Sequence, residues 1–318
     1  MKGRGRRNNP PASPPGSASS ITWIEGRVIS HLGQGLAIES PDGKIILCQT
    51  RRRLGDVAVG DRIRWTPSED GEQGRVEEVL PRSTTLVRPA YGGKTRVVAA
   101  NLDRVFVVIS PSPEPDWLLV DQYLAVCEFR HIEAEIVCNK IDLAENGTLT
   151  ELADYARIGY PVHSVSARNG IGVAELKQAL HGHCSMLAGQ SGVGKSSLTN
   201  ALLPDKNLRV GEISERSGLG RHTTTAATLY PLPEGGDLID SPGVAVFGLA
   251  EIKGQDLAWG YREFQSRISQ CRFNDCRHTG DKDCAVREAV EKGAIAPARY
   301  QRYLKLLEKL AMPDTEWE

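Results

Sequence analysis

The heptapeptide VCNKIDL at residues 137–143 stands upstream of the glycine-rich stretch GQSGVGKSS at 189–197, and the order of these two segments decides the fold. The second segment matches G-x-x-x-x-G-K-[ST]. It follows an apolar strand pattern (CSMLA, 184–188) and opens a helix pattern (SSLTNALL, 196–203), which is the context in which that motif holds phosphate. Gly189, Gly192 and Gly194 let the backbone curl, so that N–H groups along Gln190, Ser191 and Val193 face phosphate oxygens. Lys195 reaches the outer phosphates as a point charge, and Ser196 offers a hydroxyl to Mg²⁺. Ser197 lies with them at a helix amino terminus, whose positive potential favours anions.

The first segment carries the base-reading chemistry. In Asn139-Lys140-Ile141-Asp142, the Asp142 carboxylate can accept hydrogen bonds from both the N1–H and the exocyclic amine of guanine. Adenine presents neither donor there and would leave the carboxylate unpaired, which such a site rejects strongly. Asn139 would support the guanine edge and the neighbouring loops, and the stem of Lys140 would cover the base face. SVSARNG (164–170) ends the next strand, where Ser166-Ala167 would offer the Ala167 N–H to the guanine carbonyl oxygen.

Downstream, DLIDSPG (237–243) closes a further strand. Asp240 would hold Mg²⁺ through water, and the Gly243 N–H is placed to sense a γ-phosphate. Between the phosphate loop and this segment, RSGLGRHTTTAATLYP (216–231) reads as a loop ordered by ligand. One of Thr223, Thr224 or Thr225 would complete the Mg²⁺ shell; sequence does not choose among them, and Thr224 is taken as the candidate. The order is thus base loop, second base loop, phosphate loop, metal loop and D-x-x-G. That is a circular permutation of a GTPase, which domain termini lying close together at the surface make physically reasonable.

The rest of the chain reads as three further pieces. Of 318 residues, 40% are hydrophobic and 25% charged, with a net charge of −1, which excludes a polycation and a membrane protein built of long apolar helices. Residues 1–20 hold Lys2, Arg4, Arg6 and Arg7 among Pro, Gly and Ser, and are expected to be a disordered basic arm. Residues 21–88 carry five β-rich segments split by turns, the pattern of a small oligonucleotide-binding (OB) barrel, with Arg51-Arg52-Arg53 between strands. Residues 89–248 alternate strand and helix, predicting a mainly parallel, doubly covered α/β sheet. Residues 249–318 read as a small helical unit.

That last unit contains Cys271, Cys276, His278 and Cys284 within fourteen residues. Three thiolates and one imidazole make a full tetrahedral set with no open position, a soft donor combination that selects one structural Zn²⁺. The D-x-x-G loop leads straight into this unit, so the γ-phosphate state is expected to bear on its orientation.

Taken in order, NKID, SA, GQSGVGKSS, GLGRHTTT, DSPG and the cysteine–histidine cluster resemble the ribosome small-subunit-dependent GTPase family (RsgA, also called YjeQ) over about residues 21–310. The resemblance implies an amino-terminal OB barrel, a permuted P-loop GTPase core and a carboxy-terminal zinc domain. It also implies a cytoplasmic, monomeric late maturation factor of the small ribosomal subunit that binds 16S rRNA, touches no membrane and hydrolyses GTP under stimulation by the subunit. Val244 follows D-x-x-G where Ras-like enzymes use a glutamine to orient water, so His222 becomes the candidate catalytic residue. The other role open to His222 is ordering its loop or touching RNA. Competing functions are a P-loop ATPase, which Asp142 argues against, and an RNA-binding module with GTP as a ligand of little turnover.

Overall fold

The computed structural model of the chain describes residues 23–32, 35–50, 54–69, 71, 73–90, 94–144, 150–206, 227–241, 249 and 252–311. His222, Thr223, Thr224, Thr225, Gly243, the basic arm and the arginine run at 51–53 lie outside the described residues.

The five β-rich segments form strands β1 (Ile24–Leu32), β2 (Gly35–Glu39), β3 (Ile45–Thr50), β4 (Arg62–Pro67) and β5 (Gln73–Val79). β1 pairs antiparallel with both β2 and β4, β3 runs parallel to β5, and β5 runs antiparallel to β4. The ring closes in the order 1-2-3-5-4-1, the five-stranded OB topology. Alternation along the strands turns Val28, Leu36, Ile38, Cys48, Ile63, Trp65 and Val76 into one interior cluster. A bulge between Val28 and Ser30 then re-aims β1, so that Ile29 joins the core shared with the nucleotide-binding half.

A hairpin not foreseen from the sequence follows, β6 (Thr85–Ala90) with β7 (Lys94–Ala100). It lies across residue 88, where the sequence pattern suggested the barrel ends. Leu86, Val87, Val98 and Ala99 are buried in it, and Ala99 bridges to Val59 of the barrel.

The α/β core runs β8 (Arg104–Ile109), α1 (Trp117–Phe129), β9 (Glu133–Cys138), α2 (Thr150–Ile158), β10 (Val162–Ser164), α3 (Val173–Leu180), β11 (Cys184–Ala188), α4 (Lys195–Leu202), β12 (Thr228–Pro231) and β13 (Asp237–Asp240). Its strand order is β10-β9-β8-β11-β13-β12, parallel except for the antiparallel edge pair β12–β13. Residues Val105–Ile109 are all buried, as expected of a parallel strand covered on both faces. β12 also pairs with β1 at Thr228 and Ser30, so barrel and core share one continuous sheet. Arg27 fastens that seam, donating to Asp237 at 2.9 Å and to Glu39 at 3.0 Å.

The C-terminal unit comprises a 3-10 turn (Leu257–Gly260), α5 (Arg262–Ile268), α6 (Ala285–Glu291) and α7 (Pro297–Ala311). It docks on α1, which is buried from Val120 through Cys127 because the sheet covers one side and this unit the other. Gly260 sits where any side chain would collide with α1: a Cβ there would lie 2.8 Å from the Ala125 Cβ. Arg299, 1% exposed, donates to Glu263 at 2.7 and 3.0 Å and to Asp121 of α1, while Arg302 donates to the same Asp121 at 2.6 Å. The Arg299 guanidinium also lies over the rings of Tyr155 and Tyr261. No described helix is long and apolar enough to cross a membrane.

Candidate nucleotide site and metal centre

β11 is the innermost strand at which chain order reverses, with β8 on one side and β13 on the other. Loops leaving the carboxyl ends of the strands there form the crevice where open α/β sheets bind ligand. The segments following β8, β9, β10 and β11 therefore converge beside the carboxyl end of β13, and all the described sequence-predicted nucleotide residues lie on the segments after β9, β10 and β11, on the first turn of α4 or at the end of β13.

The phosphate loop needs its glycines for two reasons. Gly189 and Gly194 have φ of 144° and 92°, outside the range comfortable for other residues. Each also has a close neighbour: a Cβ on Gly189 would stand 2.2 Å from the Val108 carbonyl oxygen, and one on Gly194 would stand 2.4 Å from Asn139 Nδ2. Lys195 folds back so that its ammonium donates to the Gly189 and Gln190 carbonyls, both at 2.7 Å. Its partial burial lowers its pKa from the usual lysine value through desolvation.

Asn139 is the junction of the crevice. Its side chain, 1% exposed, donates to the Val193 carbonyl at 2.9 Å and accepts the Ala167 N–H at 3.1 Å. One amide thereby ties the phosphate loop to both base-reading loops. The Ala167 N–H, expected from sequence to face a guanine oxygen, is bonded to Asn139 here. Lys140 adopts a left-handed backbone (φ 59°) and donates to the Gly192 carbonyl at 2.6 Å and the Ser112 carbonyl at 2.8 Å. Ile141 is half-buried in the turn that follows. Buried Ser166 donates to Asp142 Oδ1 at 2.6 Å, fixing a carboxylate that is otherwise exposed.

Two contacts escaped sequence reasoning. Gln190 accepts the Asp116 N–H at 2.6 Å and donates to the Glu114 carbonyl at 2.8 Å, clasping the loop after β8 onto the phosphate loop. Its partners lie more than seventy residues earlier, so no local pattern marks them. Asp240 at the end of β13 pairs with Lys206, just beyond α4. Ser191, Ser196 and Ser197 are exposed at the mouth and the first turn of α4. A carboxylate on β13 and a hydroxyl on α4 are both oxygen donors, the type that suits Mg²⁺.

The cysteine–histidine set converges as its spacing suggested. The four donor atoms lie within 4.8 Å of one another. His278 Nδ1 is 3.5, 3.4 and 3.4 Å from the sulfurs of Cys271, Cys276 and Cys284, and the Cys271 and Cys284 sulfurs are 4.0 Å apart. A tetrahedral zinc with ordinary bond lengths sets donor separations of roughly 3.6 Å for N···S and 3.8 Å for S···S. The donor set therefore fits zinc in both chemistry and size. Left-handed backbone at His278 (φ 58°) turns the ring inward, and Tyr300 and Tyr303 of α7 hold the knuckle by donating to the carbonyls of His278 at 2.6 Å and Arg277 at 2.8 Å.

Comparison with known proteins bears on the same features. The family model for RsgA GTPase matches residues 79–250. A relative from Vibrio vulnificus (strain YJ016), named small ribosomal subunit biogenesis GTPase RsgA 1, is 44% identical, the alignment covering 92% of this chain and 88% of that one. A relative from Pseudomonas aeruginosa (strain LESB58), named small ribosomal subunit biogenesis GTPase RsgA, is 43% identical over 92% of this chain and 86% of that one. Among solved structures, YjeQ from Thermotoga maritima superposes with a TM-score of 0.74 at 35% identity, covering 92% of this chain and 100% of that one. YloQ, described as a circularly permuted GTPase, gives 0.71 at 26% identity, covering 93% and 98%. With the base-reading strand ahead of the phosphate loop, an OB barrel before them and a Cys3His cluster after them, the chain belongs to the RsgA family of circularly permuted GTPases.

Proposed function

We propose that the protein binds and hydrolyses GTP as a late maturation factor of the small ribosomal subunit, acting in the cytoplasm as a monomer and contacting 16S rRNA. The observation that carries the nucleotide part is the Asn139 junction, which locks the phosphate loop and both base-reading loops into one crevice. The names of the Vibrio and Pseudomonas relatives support the ribosomal part.

In this reading Asp142, steadied by Ser166, accepts the N1–H and amine of guanine, and the Lys140 stem lies against the base. Phosphate oxygens compete with the Gly189 and Gln190 carbonyls for the Lys195 ammonium, which then turns from a loop brace into a phosphate ligand. N–H groups of residues 190–197 surround the phosphates at the start of α4. Ser196, Asp240 and Thr224 would hold Mg²⁺, which supplies charge neutralisation at the outer phosphates when bound. Gly243 would sense the γ-phosphate, and His222 would orient the attacking water. Cys271, Cys276, Cys284 and His278 through Nδ1 would hold a structural zinc that shapes the 271–284 knuckle.

The sequence-based division is a barrel at 21–88, a nucleotide core at 89–248 and a zinc unit at 249–318, after a basic arm at 1–20, with the β6–β7 hairpin straddling the first boundary. The test is hydrolysis of GTP and ATP by the purified protein, with and without small subunits. GTP selectivity and faster turnover with subunits are expected. Equal use of ATP would favour a general P-loop ATPase, and GTP binding without subunit-stimulated turnover would favour an RNA-binding module.

A further inference from the structure

α4 ends by delivering a cation to the acid on β13. Lys206 closes a turn on Leu203, its N–H bonded to the Leu203 carbonyl at 3.2 Å, and its ammonium forms an ion pair with Asp240 Oδ2. The same ammonium stands 5.4 Å from the ring centroid of Tyr230, so β12 supplies an aromatic wall. Side-chain exposures of 23% for Lys206 and 26% for Asp240 show that neither end waves freely in solvent. Asp240 and Thr228 face each other across the β12–β13 ladder, so the carboxylate and the ring that flank the ammonium are fixed by the same pair of strands.

A carboxylate already engaged by an ammonium is a poorer partner for a divalent cation. Like charges a few ångströms apart repel, and the repulsion is larger in a half-buried crevice than in water. We propose that Lys206 and Mg²⁺ compete for Asp240, so that loading Mg²⁺ with guanine nucleotide requires Lys206 to swing away, and Lys206 sets the Mg²⁺ concentration at which loading occurs. This rests on the reading of Asp240 as the Mg²⁺-side acid. Lys206 is in this account a positioning residue, because it acts through Asp240 and not on the nucleotide.

The test titrates Mg²⁺ against binding of a fluorescent GDP and a fluorescent non-hydrolysable GTP analogue, using the full chain. Lys206→Met keeps the stem against Tyr230 and removes the charge; its Mg²⁺ midpoint should fall by about twofold to fivefold, the worth of a partly exposed ion pair. Lys206→Arg keeps the charge and should bind with the midpoint of the unaltered protein. Lys206→Gln carries the same expectation as the methionine variant and replaces it if that one does not fold. An unchanged midpoint in the neutral variants overturns the competition alone. A raised midpoint also overturns it, since Lys206 would then be supporting the metal-bound arrangement. Guanine-nucleotide binding that ignores Mg²⁺ in the unaltered protein would overturn the reading of Asp240 together with the inference built on it.

Discussion

Replacing Arg299 with alanine should loosen the C-terminal unit from α1. Arg299 is 1% exposed and Asp121 is fully buried, so neither charge is compensated by water. The substitution removes a two-pronged contact to Glu263, the contact to Asp121, and the guanidinium packed over Tyr155 and Tyr261. Breaking a buried pair by removing one partner costs about 3–5 kcal/mol, because the survivor stays buried and charged. Asp121 keeps Arg302 and the Tyr155 hydroxyl, which places the expected loss at the lower end, about 3 kcal/mol. That is roughly a hundredfold in the docking equilibrium. Urea unfolding followed by far-UV circular dichroism reads the stability, and hydrogen exchange across residues 117–129 reads the exposure of α1. Replacing both partners, Arg299→Met with Glu263→Gln, should recover at least half of the loss, since no carboxylate is then stranded on α5. A loss below about 1 kcal/mol in Arg299→Ala with unchanged α1 exchange would refute the reasoning, because it would mean the pair is worth no more than a surface salt bridge.

Other outcomes follow from single contacts. Asn139→Ala strands the Val193 carbonyl and the Ala167 N–H and should lower stability by about 2 kcal/mol in thermal unfolding, with guanine-nucleotide affinity falling at least about tenfold. Chelation, or Cys284→Ser, should remove zinc measured by elemental analysis and make residues 271–300 sensitive to protease while the barrel stays folded, because the binding energy of a structural zinc is folding energy. Burial, and next Arg96, hold the His31 pKa below 6.5. The unfolded chain therefore binds the proton more readily, so His31 contributes stability above about pH 6.5 that is lost as pH falls toward its lowered folded-state value. His31→Gln should flatten that part of the stability profile below about pH 6.5, measured by urea unfolding at each pH.

The sequence was most legible where chemistry and local pattern coincide. The five barrel strands alternate or carry β-branched runs between turn residues, and each was found within a few residues of its observed place. NKID and the phosphate loop bear their spacing in the chain itself, and their order forces the permuted topology that the strand order 10-9-8-11-13-12 displays. The cysteine–histidine knuckle is local too, its four donors spanning residues 271–284. What was hidden depends on residues far apart. Arg299 and Asp121 are separated by 178 positions, and a buried arginine in an amphipathic helix reads as a solvated one until α1 is placed beneath it. The β1–β12 seam joins residues 198 positions apart through Ser30 and Thr228. The β6–β7 hairpin was missed for another reason: TLVRPA and KTRVVAA straddle the apparent change of pattern, and Pro89 weakens the strand signal of the first.

The central claim is that guanine is read by a loop standing ahead of the phosphate loop in the chain, and Asp142→Asn tests it most directly. Guanine offers two donors to this position, whereas xanthine offers the N1–H donor and a carbonyl oxygen. An asparagine amide can accept the first and donate to the second. Equilibrium binding of GTP and XTP to the two proteins is the measurement. GTP affinity should fall by at least about a hundredfold in Asp142→Asn, and XTP affinity should rise above that of GTP. Unchanged GTP binding, with no gain for XTP, would contradict the assignment of NKID as the guanine-reading loop.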